Sequence, residues 1–376
     1  MQLKYKLSVV AFLAANSLCA DDTVSISMMS YNENDNRVDI KAPAITVNKD
    51  FGTDYALSAG VVYDAVSGAS PNFVDTNSGA SAYSRGNTTQ ANVKKTNVKF
   101  EEKRTAINAI LTTRFDNRDE LKSGFNFSSE SDYYSMELSQ DYLHYLDDNH
   151  NQSLSFGLSG QTNQILVYCK NNSKCDTNSG ASEKFNSNNY KASIGFSQVI
   201  DKSSIVNSSL SFVNESGYLT NPYLNVVRNY NTAPEVTNEN RPQKRTGYGV
   251  FVKYLKIFDK FSSNISYRYY GDNWHINSHT IDTNGYYEFG KLTIGAGVRH
   301  YKQSKAKFYS GLVDYFTNQK YASSDERLSD FDATTYKVMV DYRLTNSINL
   351  NLTADYYDQS TGLKATTFMS GIKYKF

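Results

Sequence analysis

Residues 366–376 read TTFMSGIKYKF, and the stretch alternates. Successive side chains of an extended strand point to opposite faces. Phe368, Ile372, Tyr374 and Phe376 therefore share one face, while Thr367, Met369, Gly371, Lys373 and Lys375 share the other. A strand that is greasy on one side and doubly cationic on the other, up to its last residue, asks for oil on one side and water on the other. The same period of two recurs upstream. Tyr336, Val338, Val340, Tyr342 and Leu344 oppose Lys337, Met339, Asp341 and Arg343, and Ile348, Leu350, Leu352 and Ala354 oppose Asn349, Asn351, Thr353 and Asp355. Ile265, Tyr267 and Tyr269, then Leu154, Phe156 and Leu158, repeat the pattern, which is that of half-buried strands.

Alternation alone also fits a soluble sandwich; the connections decide. Every second connection is a tight turn of Asp, Asn and Gly, such as Asp147-Asp148-Asn149-His150 or Phe289-Gly290-Lys291. All the long connections, 67–103, 164–189, 216–244 and 304–332, belong to the other set. An up-and-down sheet puts the two sets at opposite ends, and outer-membrane barrels have short periplasmic turns and long extracellular loops. The chain therefore reads as all-β, a closed up-and-down antiparallel transmembrane β-barrel of about 16 strands. A sheet spans lipid only when closed, so the first and last strands are expected to pair.

Composition agrees. The 376 residues include 30 Tyr and 20 Phe but one Trp, and Tyr suits surfaces that meet both oil and water. The pairs Tyr133-Tyr134, Tyr269-Tyr270, Tyr286-Tyr287 and Tyr356-Tyr357 are expected to give one ring to an aromatic girdle and one to the interior. Mean hydropathy is −0.55, and past the N-terminus no apolar run reaches the ~18 residues of a spanning helix. A net charge of +1 leaves no basic footprint for nucleic acid.

Residues 1–20 read as a signal peptide: Lys4 and Lys6, the apolar segment Leu7–Ala15, then small residues to Ala20, leaving 21–376 as the barrel domain. Cys19 keeps acylation open as a second reading. Cys169 and Cys175, in a polar segment of an exported chain, are expected to form a disulfide.

Four strings, MSYNENDNRVDI (29–40), YDAVSGASP (63–71), DERLSDFDATTYKV (325–338) and the closing GIKYKF, resemble a family of bacterial outer-membrane proteins known as a domain of unknown function. The resemblance covers the chain from about residue 23 onward and is most specific at Ser67-Gly-Ala-Ser-Pro71. It implies an outer-membrane barrel of a Gram-negative bacterium. Members tend to be encoded near flavin transferases and thioredoxin-like proteins, implying periplasmic redox or flavoprotein partners. It carries no catalytic residues. The ending, with Phe368, Ile372, Tyr374 and Phe376, matches the signal that the barrel assembly machinery reads.

An unpaired charge at mid-depth in hydrocarbon costs about 2–4 kcal/mol, so strand charges belong inside. The lumen-facing candidates are Arg37, Asp39, Lys41, Asp64, Arg114, Glu137, Asp141, Lys253, Arg268, Arg299, Lys337, Asp341, Arg343, Asp355, Lys373 and Lys375. Their mixed signs suit a porin-like channel for small polar solutes or an export barrel; a largely plugged structural barrel is the alternative. A barrel-wall hydrolase is weaker, because no serine sits in a G-x-S-x-G string. His275 and His279 are about 13 Å apart on a strand, too far to share a metal, and no cofactor motif stands out. Asp325, Glu326, Asp330 and Asp332 beside Arg327 read as a solvated, locally paired outer loop, with a cation site the lesser reading, and Lys94, Lys95 and Lys103 as part of a solvated mixed-charge run or as contacts for lipopolysaccharide phosphates.

Overall fold

The computed structural model describes residues 22–75, 90–168, 182–311 and 319–376. The expected signal peptide with Cys19, the tip of 67–103, and Cys169 and Cys175 lie outside the described residues. The described residues form eighteen strands: β1 (Thr23–Glu33), β2 (Val38–Phe51), β3 (Tyr55–Asp75), β4 (Val93–Arg114), β5 (Glu120–Ser129), β6 (Tyr133–Tyr145), β7 (Gln152–Tyr168), β8 (Ser182–Asp201), β9 (Ser204–Gly217), β10 (Asn225–Arg228), β11 (Glu235–Asn238), β12 (Lys244–Phe258), β13 (Phe261–Asp272), β14 (Asn277–Phe289), β15 (Leu292–Gln303), β16 (Phe331–Arg343), β17 (Ile348–Gln359) and β18 (Lys364–Lys375). Sixteen close a barrel in which each strand pairs with its sequence neighbours. There are two exceptions: β9 pairs with β12 across the β10–β11 insertion, and β1 pairs with β18 to close the ring. At that seam Ile26 stands opposite Ile372, and the Phe376 amide donates to the Asp22 carbonyl at 3.0 Å.

The alternating pattern becomes two surfaces. Ile26, Ile45, Val61, Ile107, Leu158, Ile194, Leu210, Ile265, Ile294, Val338 and Leu352 are exposed on the outer wall. Tyr63, Tyr134, Tyr190, Tyr248, Tyr336, Tyr356 and Phe368 ring the loop side, and Phe51, Tyr55, Phe115, Phe261, Phe289, Tyr342 and Phe376 the turn side. From Phe368 to Phe376 the strand rises ~3.3 Å per residue; tilted ~40°, it gives a belt roughly 20 Å tall, the scale of an outer-membrane hydrocarbon band. Each tyrosine pair divides as expected, with Tyr134, Tyr287 and Tyr356 exposed outside. In the Phe289–Leu292 turn Gly290 has φ +67°, a conformation that side chains with a Cβ rarely adopt.

One stretch departs from the alternation reading. In β2, Val38 and Ala42 are buried inside, against Tyr31, Val66 and Ala365 and against Met29 and Val62. Ile45 and Val47 are the exposed ones. The β2–β3 register runs through Pro43 without a bulge, so Asp39 and Lys41 share the outer face with Ile45 and Val47. They are not lumen residues. Lys41 pairs with Ser30 and Asp39 with Asn32 on β1, so the outer wall turns polar at this height, above Met28. Charge is tolerated there because hydrocarbon ends below it.

The four long connections hold more order than their composition suggests. β3–β4 and β7–β8 continue as hairpins past the girdle, and residues 218–243 carry the separate β10–β11 ribbon.

Candidate functional site: the bore and its external cap

The ribbon of β10 and β11 springs from between β9 and β12, yet it packs against β3, seven strands round the ring from β12. Val227 and Val236 also enclose Val93 at the start of β4. Ribbon and overhanging hairpin therefore meet across the mouth. Further bonds tie them down: Tyr223 Oη donates to Asp132 (2.7 Å), Ser324 Oγ to the Asn225 carbonyl (2.6 Å), and Arg228 Nη1 to the Gln319 carbonyl (2.8 Å). A small apolar core of Trp274, Ile276, Ala306, Phe308 and Leu328 lies where the β13–β14 turn meets the β15–β16 connection. Trp274 meets Phe308 edge to face at 4.9 Å, and each such buried ring is worth about 1.5–3 kcal/mol. The Trp274 indole N–H donates to the Lys244 carbonyl, so the buried ring keeps its hydrogen bond.

Two ionic knots join the loops. In the first, Glu239 is fully buried; Arg241 Nε lies 2.7 Å from its Oε1, and Arg241 Nη2 donates to Asp325 Oδ2 at 2.7 Å. Arg327 Nε donates to the other Asp325 oxygen at 2.8 Å. Asn221 N and Ser323 Oγ donate to Glu239. Burial pushes the Glu239 carboxyl above its ordinary range; Arg241 opposes this and the Asp325 charge adds to it. Burial pushes Asp325 the same way, but Arg327 and Arg241 outweigh it and hold Asp325 well below the usual carboxylate range. In the second knot, Glu326 receives Arg37 Nη2 at 2.9 Å and Lys95 Nζ at 2.5 Å, with Glu33 3.6 Å from Arg37. Arg37 thus sits at the rim above the bore, and Lys95 is turned onto the cap, not onto lipid headgroups. The local Asp325–Arg327 pair is as its composition suggested, but the segment is not a solvated loop: Asp325 is buried and bonded to Arg241, and Glu326 to Arg37.

Below the cap, register places Asp64, Arg114, Glu137, Asp141, Lys253, Arg268, Arg299, Lys337, Asp341, Arg343, Asp355, Lys373 and Lys375 opposite the exposed hydrophobics of their strands. Several pair: Asp64 with Arg104, Arg114 with Glu120 (3.7 Å), Glu137 with Lys191 (3.5 Å) and Lys337 with Asp355 (3.9 Å). Arg268, Arg299, Asp341 and Arg343 are exposed although they face inward, so the described side chains leave free space around them in the bore. His279 faces outward beside Tyr267 (2.7 Å), His300 lies on the outer face, and His144 bonds Asp119 at the short-turn end (2.9 Å). Sequence reasoning did not single out Glu239 or Arg241, which belong to a polar loop string without motif. Nor did it single out the trio Glu102, Glu130 and Asp132, whose oxygens come within 4.8 Å at the rim. Such oxygens are of the kind that gather hard cations, and here Ser131 and Tyr223 donate into them.

Solved structures with this architecture are outer-membrane proteins. A bacterial polysaccharide outer-membrane secretin aligns over 95% of this chain and 99% of its own at 8% identity and a TM-score of 0.50. A loop-deletion mutant of OmpT from Vibrio cholerae aligns over 95% and 98% at 11% and 0.46, and OccAB1 of Acinetobacter baumannii over 95% and 96% at 11% and 0.45. At these identities the likeness speaks to the fold alone. Comparison with curated proteins gives no match. A family profile, by contrast, matches residues 7–374, nearly the whole chain. With the closed ring, the two girdles and the four strings noted above, that match makes the chain a member of the family described as protein of unknown function DUF3570.

Proposed function

We propose that the chain is a diffusion channel of the bacterial outer membrane, passing small polar solutes through a bore whose external mouth the cap narrows. One observation carries the reading: charged side chains on the inner faces of β13, β15 and β16 stay accessible, as they do when water fills a barrel of this girth. The cap sets a size limit and explains why the mouth is built of bonded loops and not loose ones. Outer-membrane lipid and lipopolysaccharide outside, and the barrel assembly machinery acting on the Phe368–Phe376 strand, belong to the same proposal. No catalytic step is assigned to the chain.

The second reading, a largely closed barrel serving periplasmic redox or flavoprotein partners, is favoured by the extent of the cap's bonding. Recordings in planar bilayers separate the two. Protein that shows the heat-dependent gel shift of a folded barrel should give stable conductance steps, larger once residues 222–240 are replaced by a short Gly-Ser linker. Silence from such protein, with and without the linker, refutes the channel and leaves the closed barrel.

A further inference from the structure

The inner faces are not electrically alike. β12, β13 and β15 present Lys253, Arg268 and Arg299, and among the described residues none has a carboxylate within ion-pair distance. The acid nearest them by register is Asp282, which lies across from Arg299 and Ser266 and takes the Asn284 amide. Arg268 lies over the Phe251 ring at 5.4 Å and by register stands two strands and two residues from Arg299 on the same inner face. Two guanidiniums on one face, with an ammonium and one acid, make a site of net positive charge. Lower on this side of the ring come Lys337, loosely paired to Asp355, then Asp341, and Arg343 and Lys373 near the short-turn end. The neighbouring wall, β9 to β6, is different. Ser139, Gly157, Ser159, Ser193 and Ser211 border a recess of about 490 Å³ with Glu137, Asp141 and Lys191, and it reaches Tyr270 on β13.

We infer that Arg268 and Arg299, supported by Lys253, form a binding site in the bore for small oxyanions, carboxylate or phosphate, and that the cations below continue it as a track. Guanidinium pairs bind such anions through forked N–H donors. The hydroxyl-lined wall next to it serves the neutral part of the solute. The transport consequence rests on the channel reading; the binding does not.

The test uses the folded full-length barrel in detergent and in bilayers, with inorganic phosphate and succinate as probes. Calorimetry should register binding of either, weakened roughly tenfold or more in the double variant Arg268→Gln/Arg299→Gln. Lys337→Gln, whose lysine already has an acid partner, should change it far less. In bilayers under a KCl gradient the reversal potential should favour chloride, and the double variant should lose that preference. The gel shift reports that each variant has folded. Binding without conductance keeps this site and removes the channel. Conductance with neither binding nor any change in reversal potential between parent and double variant overturns the site.

Discussion

Arg241→Met is the sharpest perturbation of the cap. Arg241 is 5% exposed and lies between Glu239 and Asp325, each 2.7 Å away and each buried. Removing it leaves Asp325 with Arg327 and leaves Glu239 with neutral donors only. Breaking a buried pair from one side costs about 3–5 kcal/mol. The two connections form a local unit outside the barrel ladder, so that cost should fall on the opening of the cap, not on unfolding of the sheet. Opening should therefore become roughly a hundred- to a few-thousandfold more frequent. The assay is amide hydrogen exchange at 218–243 and 319–330, with β13–β18 amides as internal reference. A second change, Glu239→Gln, removes the orphaned charge and should restore part of the protection. The pH dependence has a definite sign. Glu239 is shifted up, so its share of stability is complete below its ordinary value near 4.5 and lost as pH climbs through the raised one. Asp325 is shifted down, so its share is complete above about 3.8 and lost only in stronger acid. The parent cap should be tightest near pH ~4 and loosen to a plateau above, and acid should rescue the Met variant more than the parent. Unchanged exchange in a folded variant would refute the assignment of Arg241 as the clasp.

Three further outcomes follow from the barrel. Leu352→Arg, on the outer wall at mid-belt, should cost about 2–4 kcal/mol in urea titrations in vesicles, whereas Asn349→Arg, on the inner face, should cost far less; equal costs would show that the two faces are misassigned. Phe376→Ser should lower the fraction of chain that reaches the heat-modifiable form in cells, even though the main-chain bond to Asp22 needs no side chain. Gly217→Ala should destabilise the β8–β9 hairpin by about 1–3 kcal/mol, because φ is +99° and a Cβ would meet the Asn186 carbonyl oxygen at 2.3 Å. Faster exchange at Tyr218 and Asn186 is its readout, and wild-type protection there would count against the strain.

The barrel was legible because lipid imposes one rule on every strand. Hydrocarbon accepts only apolar side chains, so period two appears in β16, β17 and β18 without reference to any other part of the chain. The same rule explains the one wrong facing. β2 holds two apolar sets of opposite parity, Val38-Ile40-Ala42 and Ile45-Val47, and only one can face lipid when no bulge intervenes. Which one depends on height, and height comes from pairing with β1, where Met28 stands opposite Pro43 and polar Ser30 opposite Lys41. Local sequence carries no measure of height.

The cap was illegible for a different reason. Arg241 and Asp325 are 84 residues apart, and Arg37 and Glu326 are 289 apart, and nothing in the surrounding polar strings distinguishes a paired charge from a solvated one. The lumen cations fall between these cases: alternation shows that Arg268 and Arg299 point inward, while only register shows that Arg299 faces Asp282 and that Arg268 faces Thr280. The parts written in one strand answer to the membrane, which is uniform. The parts written across strands shape the bore and the mouth, which are particular to this chain. The selectivity that the proposed channel would have is therefore to be sought where two or three distant segments meet, at Arg268 with Arg299 and at Glu239 with Arg241 and Asp325, rather than in any contiguous motif.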